Sequence, residues 1–221
     1  MTSRSAVPIT ATVLLMLALF VGCGGETGSS SASTSSPNVV IIFLDDVGYG
    51  DLGTYGHPTI RTPHMDRMAA EGVKLTGFYA ASPSCSPSRA GLLTGRYPVR
   101  AGIFWALGPE EENGIPAEEW TLAEALQERG YRTAAVGKWH LGSWPGLLPT
   151  EHGVDAFYGL LYSNDMIRPW VNTDRPLELY RDTEPIEHPV DQATLTRRYT
   201  EESVRFIESS VAGDEPFFLY L

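Results

Sequence analysis

Val39-Val40-Ile41-Ile42-Phe43-Leu44-Asp45-Asp46 decides the fold class. Four β-branched residues and two further apolar ones run without a break and then meet two carboxylates. Uninterrupted apolarity over this length predicts a strand buried on both faces, the mark of a parallel sheet in an α/β protein. Open sheets of that class bind ligands at the carboxyl ends of their strands, which is where Asp45 and Asp46 fall. Gly48 and Gly50 let the backbone turn sharply there, and Asp51 is read as closing the turn. Adjacent carboxylates repel each other unless a cation lies beside them, and hard oxygen donors suit Ca²⁺ or Mg²⁺. A solvated turn is the other reading of a bare Asp-Asp pair.

The pattern continues downstream. Thr62-Pro63 opens a helix through Met65, Met68 and Ala69 that stops at Gly72. Lys74 to Tyr79 is expected as a short strand. Thr121-Leu122-Ala123-Glu124 is a capping box, followed by the apolar stripe Leu122, Ala125 and Leu126 and a stop at Gly130. With Tyr131 to Lys138 read as a strand, this makes an α/β unit. Leu147 to Pro189 is rich in Pro, Asp and aromatics and is expected to form long loops. Thr194 to Ser210 reads as a helix that packs through Tyr199, Val204, Phe206 and Ile207. Pro216 to Leu221 begins another core strand. A strand this apolar should be paired and covered, so the chain is expected to be an N-terminal part of a longer protein. On that reading the sheet is incomplete at its C-terminus and Phe217–Leu221 is an exposed apolar edge.

Ser84-Cys85-Ser86-Pro87-Ser88-Arg89-Ala90-Gly91-Leu92-Leu93-Thr94-Gly95-Arg96 places a thiol just before a proline suited to the first turn of a helix. Ser86 is the expected N-cap and Gly95 the stop. A cysteine there faces unpaired backbone N–H groups and the positive end of the helix dipole, with Arg89 one turn away. The setting favours a thiolate and any oxyanion bound beside it. An incidental buried cysteine is the alternative. Lys138 and His140, in Gly137-Lys138-Trp139-His140-Leu141-Gly142, follow the strand Tyr131–Lys138. Alternation points both to one face and Trp139 to the other. A cation and an imidazole side by side can neutralise a transferring anionic group and hydrogen-bond a nucleophile or leaving oxygen. His152, Asn164 and Asp165 are minor candidates for lining a cleft.

Composition bounds the partners. With 16 Lys and Arg against 27 Asp and Glu, the formal charge of −11 opposes nucleic-acid binding. An anion site must then be built by local cations, Arg89 first. A content of 43% hydrophobic and 19% charged residues belongs to a folded domain. Residues 1–22 carry Arg4 and an apolar run from Ile9 to Val21, too short for a membrane span and suited to an export signal. Cys23 follows Gly22 and resembles the acylated cysteine of a bacterial lipoprotein, with an ordinary signal peptide as the alternative. Gly24 to Ser36 is nearly all Gly, Ser, Thr and Ala, a flexible tether. The expected organisation is therefore a lipoprotein signal peptide (1–22), a lipid-anchored linker (23–36) and a folded domain (37–221). The expected location is the bacterial periplasm or cell surface.

Leu44-Asp45-Asp46-Val47-Gly48-Tyr49-Gly50-Asp51, the Cys-X-Pro-Ser-Arg run at Cys85 and Gly137–Gly142 together resemble the sulfatase family, in its order of motifs, from about Pro37 to Leu221. Leu148-Pro149-Thr150-Glu151-His152-Gly153 with Tyr162-Ser163-Asn164-Asp165 looks most like the arylsulfatase A branch. The resemblance implies an α/β, alkaline-phosphatase-like sandwich with a central mixed, mostly parallel sheet. It implies hydrolysis of sulfate esters with a divalent cation, usually Ca²⁺, Mg²⁺ being possible. It assigns Asp45, Asp46 and Cys85 as metal ligands and Cys85 as the residue a maturation enzyme converts to formylglycine. Arg89 and Lys138 would stabilise the hydrated aldehyde and the sulfate, and His140 would assist the nucleophile. The family's second Asp/Asn metal pair, a further histidine and a further lysine lie beyond Leu221 in family order. The chemistry gives a reason for the modification: a thiol attacking sulfur has no easy way to expel sulfate, whereas a hydrated aldehyde has a second hydroxyl whose deprotonation does so. The implied partner is a sulfated small molecule or glycan. A phosphodiesterase or phosphonate hydrolase of the same superfamily, and a non-catalytic lipoprotein that binds sulfated glycans, are the rival readings.

Overall fold

The computed structural model describes residues 36–221. The export signal, Cys23 and all but the last residue of the tether lie outside the described residues. Six strands form one mixed sheet: β1 (Val39–Ile41), β2 (Arg132–Lys138), β3 (Ala156–Leu160), β4 (Leu179–Arg181), β5 (Glu184–Glu187) and β6 (Phe217–Tyr220). Their spatial order is β1-β6-β2-β3-β4-β5. The first four in that order are parallel, and β4 and β5 return antiparallel as a hairpin. The helices are α1 (Pro63–Glu71), α2 (Cys85–Thr94), α3 (Leu122–Gln127) and α4 (Leu195–Ala212). The core lies where β2, β3 and β6 meet the helices, around Ala134, Val136, Phe157, Phe206, Phe218 and Leu219.

Local chemistry accounts for the helix ends. Thr121 accepts from the Glu124 N–H at 3.1 Å and Glu124 accepts from the Thr121 N–H at 2.7 Å, closing the capping box that opens α3. Gly95 ends α2 in the left-handed region at φ 66°, where a side chain would be strained. Gly72 caps α1.

Several expectations give way to tertiary context. β1 is an edge strand of three residues, and Val40, Ile42 and Leu44 are exposed rather than buried on both faces. The terminal strand β6 is no edge. It pairs with β1 on one side and β2 on the other, and Phe217 to Tyr220 are all buried. Lys74–Tyr79 forms no strand: Lys74 Nζ donates to the Thr54 carbonyl, and the Tyr49 hydroxyl donates to the Phe78 carbonyl. The stretch from Leu147 to Pro189 holds three strands, each too short for periodicity to reveal. Tyr199, Phe206 and Ile207 pack α4 onto the core, but Val204 faces solvent.

Candidate active site

α2 starts two residues earlier than its sequence suggests. Ser84 is the cap and Cys85 the first helical residue, so the helix opens on the half-buried thiol itself. Pro87 is the third residue and has no N–H, which removes one donor the first turn cannot satisfy internally. Ser86, expected as the cap, is fully buried and serves another purpose: its Oγ accepts the Leu107 N–H at 3.0 Å.

One turn along, Arg89 is 4% exposed. Its Nη1 donates to the Lys138 carbonyl at 2.5 Å and to the Tyr220 hydroxyl at 3.1 Å, while Nη2 reaches Asp45 Oδ2 at 3.4 Å. The guanidinium also lies 5.5 Å from the centre of the Phe43 ring. Its Nε is buried without a partner. Lys138 Nζ binds the same Asp45 oxygen at 2.5 Å. Burial raises the Asp45 carboxyl, but the hydrogen bond and charge of Lys138, with Arg89 behind them, outweigh it and hold the group below its usual range. Burial pushes the Tyr220 phenol up, so it is protonated and shares its oxygen with Arg89. Sequence patterns gave no sign of Phe43, Leu107 or Tyr220 in this role, because each is an ordinary apolar or aromatic core position until the strands are paired.

His140 is completely buried. Its Nε2 lies 2.8 Å from the Leu107 carbonyl, which can only accept, so the proton sits on Nε2 and the Nδ1 lone pair is left without a partner. Burial, then the Lys138 cation, lowers its pKa to about 4, so the ring is neutral at pH 7. The chain turns left-handed at His140, φ 57°, just after β2. Trp139 stacks on His152 at 6.1 Å between ring centres, and both are about 1% exposed. His152 therefore packs in the core and lines no open cleft. The turn after β1 is made by Asp46 at φ 56° rather than by Gly48 or Gly50, and Asp51 closes it by accepting the Gly48 N–H at 2.8 Å.

Asp45, Arg89, Lys138 and His140 thus gather near the carboxyl ends of β1 and β2, with Cys85 one helical turn from Arg89. The metal assignment finds less support in the geometry. Among the described residues, no three or more His, Cys, Asp and Glu side chains cluster to hold an ion. Asp45 spends one oxygen on two cations. Ca²⁺ takes about six to eight oxygens, so the donors described do not by themselves make a complete site.

A family model described as Sulfatase matches residues 37–221, essentially the whole folded unit. This chain belongs to the sulfatase family. It is 42% identical over 231 residues to N-acetylgalactosamine-6-sulfatase of Canis lupus familiaris, covering 96% of this chain and 44% of that protein. It is 39% identical over 218 residues to arylsulfatase G of Rattus norvegicus, covering 87% of this chain and 41% of that protein. Among solved structures it resembles Ps i-CgsB in complex with k-i-k-neocarrahexaose, at 32% identity and a TM-score of 0.73 over 84% of this chain and 44% of that one. The mixed sheet with its covering helices is therefore the alkaline-phosphatase-like fold of the sulfatases. The chain spans less than half the length of these relatives.

Proposed function

We propose that this protein hydrolyses sulfate esters of carbohydrates or aryl alcohols by way of a formylglycine made from Cys85. The observation that supports this most is Arg89, a buried guanidinium one turn above the half-buried thiol and linked to both Lys138 and Asp45. A cation so thoroughly withdrawn from water is costly unless it meets anions, and one carboxylate shared with Lys138 leaves charge to spare for a sulfate. Arg89 and Lys138 bind and orient the sulfuryl group. The N–H groups of the first turn of α2 add donors without reorganisation. Neutral His140 keeps its proton on Nε2, fixed by Leu107, and offers the Nδ1 lone pair to a nearby hydroxyl. The aldehyde, when formed, supplies an oxygen nucleophile and a route to expel sulfate.

Asp45 and Asp46 are proposed as part of the ligand set for a divalent cation, Ca²⁺ or Mg²⁺, which Cys85 would join. Sulfated glycans are the proposed substrates, since relatives carry carbohydrate-sulfatase names and one solved neighbour is bound to neocarrahexaose. Export, a lipid anchor on Cys23 and a formylglycine-generating maturation enzyme complete the proposal.

The test is peptide mass spectrometry at Cys85 after co-expression of the full-length protein with a maturation enzyme, paired with turnover of an aryl sulfate and an aryl phosphodiester. Formylglycine with preference for the sulfate is expected, and Cys85→Ala should abolish turnover. Cys85→Ser should permit at best a single transfer without efficient release. An unmodified thiol, or preference for the phosphodiester, would overturn the assignment.

A further inference from the structure

Phe104 and Trp105 stand in water at 60% and 56% exposure, between the buried anchors Ile103 and Leu107. Such a pair on a loop held at both ends is costly unless something covers it. Their ring centres are 5.8 Å apart with planes tilted by 33°. The indole is held by its edge: Nε1 donates to Glu111 Oε2 at 3.2 Å, and Glu111 Oε1 accepts the Gly108 N–H at 2.9 Å. This loop is also tied to the candidate active site. The Leu107 N–H donates to Ser86 beside Cys85, and its carbonyl accepts from His140.

We infer that Trp105, with Phe104 beside it, is a stacking platform for a neutral pyranose ring next to the sulfated one. The inference rests on the sulfatase reading and adds a specificity element to the same site. Two residues of chain span at most about 7 Å, so Trp105 lies within about one sugar ring of the residue that holds His140. A rigid aromatic face whose polar edge is already satisfied suits the apolar C–H face of a pyranose, because both bury apolar surface at little entropic cost. Glu111 sets the charge preference. Its carboxylate at the indole edge, with Glu110 and Glu112 as chain neighbours, repels a second sulfate. The neighbouring ring is therefore unsulfated.

Two measurements on the full-length, matured protein test this. The first compares a 6-O-sulfated galactoside monosaccharide with a disaccharide carrying the same sulfated ring beside a neutral one. Trp105→Ala should raise KM for the disaccharide about ten-fold and leave kcat and the monosaccharide within about two-fold, the loss expected from uncovering one ring face. Trp105→Tyr should restore most of it. The second is a fluorescence titration with unsulfated lactose, which needs no turnover: wild type should bind detectably more tightly than Trp105→Ala. Equal lactose binding, or equal loss on both sulfated substrates, would overturn the platform. Absence of turnover on every sulfate ester while the lactose difference persists would sink the sulfatase reading and leave the platform standing.

Discussion

Lys138 Nζ lies 2.5 Å from Asp45 Oδ2, bridging the end of β2 and the turn after β1 across the intervening strand β6. Arg89 reaches the same oxygen from α2, so one carboxylate joins two strand ends and a helix. Asp45 is partly open to solvent, which screens the pair, but Arg89 is not, and it is Arg89 that suffers when the anion is lost.

Asp45→Asn should therefore destabilise the fold at pH 7 by about 1–3 kcal/mol, chiefly by leaving a buried guanidinium under-compensated. The Asp45 pKa is depressed in the folded state, so its contribution is fully present above the unfolded value of 3.8 and is lost as pH falls through the lower folded value. Urea unfolding at pH 7 and near pH 3 checks this. The gap between wild type and variant should narrow in acid, and a gap independent of pH would exclude the charge as its cause.

His140 gives the opposite group the same direction of dependence. Its folded pKa is lowered from 6.5 to about 4, so between those values the unfolded chain takes up a proton that the folded chain refuses. Stability should therefore fall as pH drops from 6.5 towards 4, by an amount on the order of 3 kcal/mol. His140→Gln keeps an N–H for the Leu107 carbonyl but cannot titrate. The variant should lose this slope in that window, as read from thermal unfolding across pH 4 to 7.

Gly159 on β3 pairs with Gly137 on β2, and a Cβ at Gly159 would sit 1.7 Å from the Gly137 carbonyl oxygen. No rotamer relieves a contact made by backbone. Gly159→Ala should cost more than about 3 kcal/mol or abolish folding, and because Gly137 directly precedes Lys138 any folded remainder should bind anions poorly. Circular dichroism and calorimetric unfolding decide it; a variant as stable as wild type would mean that β2 and β3 are not paired in this register.

Most of the elements and the motifs of the family were legible because they are local. The capping box at Thr121–Glu124, the stop at Gly95 and the run Phe217–Tyr220 each state their conformation within a few residues. So does the gathering of a thiol, a cation and two carboxylates into motifs with known meaning. Strand β3 and the β4–β5 hairpin escaped notice because three to five residues show no period, and their conformation is set by the partners they pair with.

What the sequence by itself determined is the α/β class and the family, since these depend on residue type and short spacing. Only the tertiary structure decided the relations between segments. It set β6 between β1 and β2, turning an expected edge into an interior strand. It withdrew Arg89 from water onto Tyr220, 131 residues away, and gave Ser86 to Leu107 rather than to the helix cap. It required glycine at 159, where a Cβ would run into the Gly137 backbone, and at 137, where φ is 108°. These are contacts between segments far apart along the chain, fixed by packing and by pairing of buried polar groups, and no local pattern encodes them.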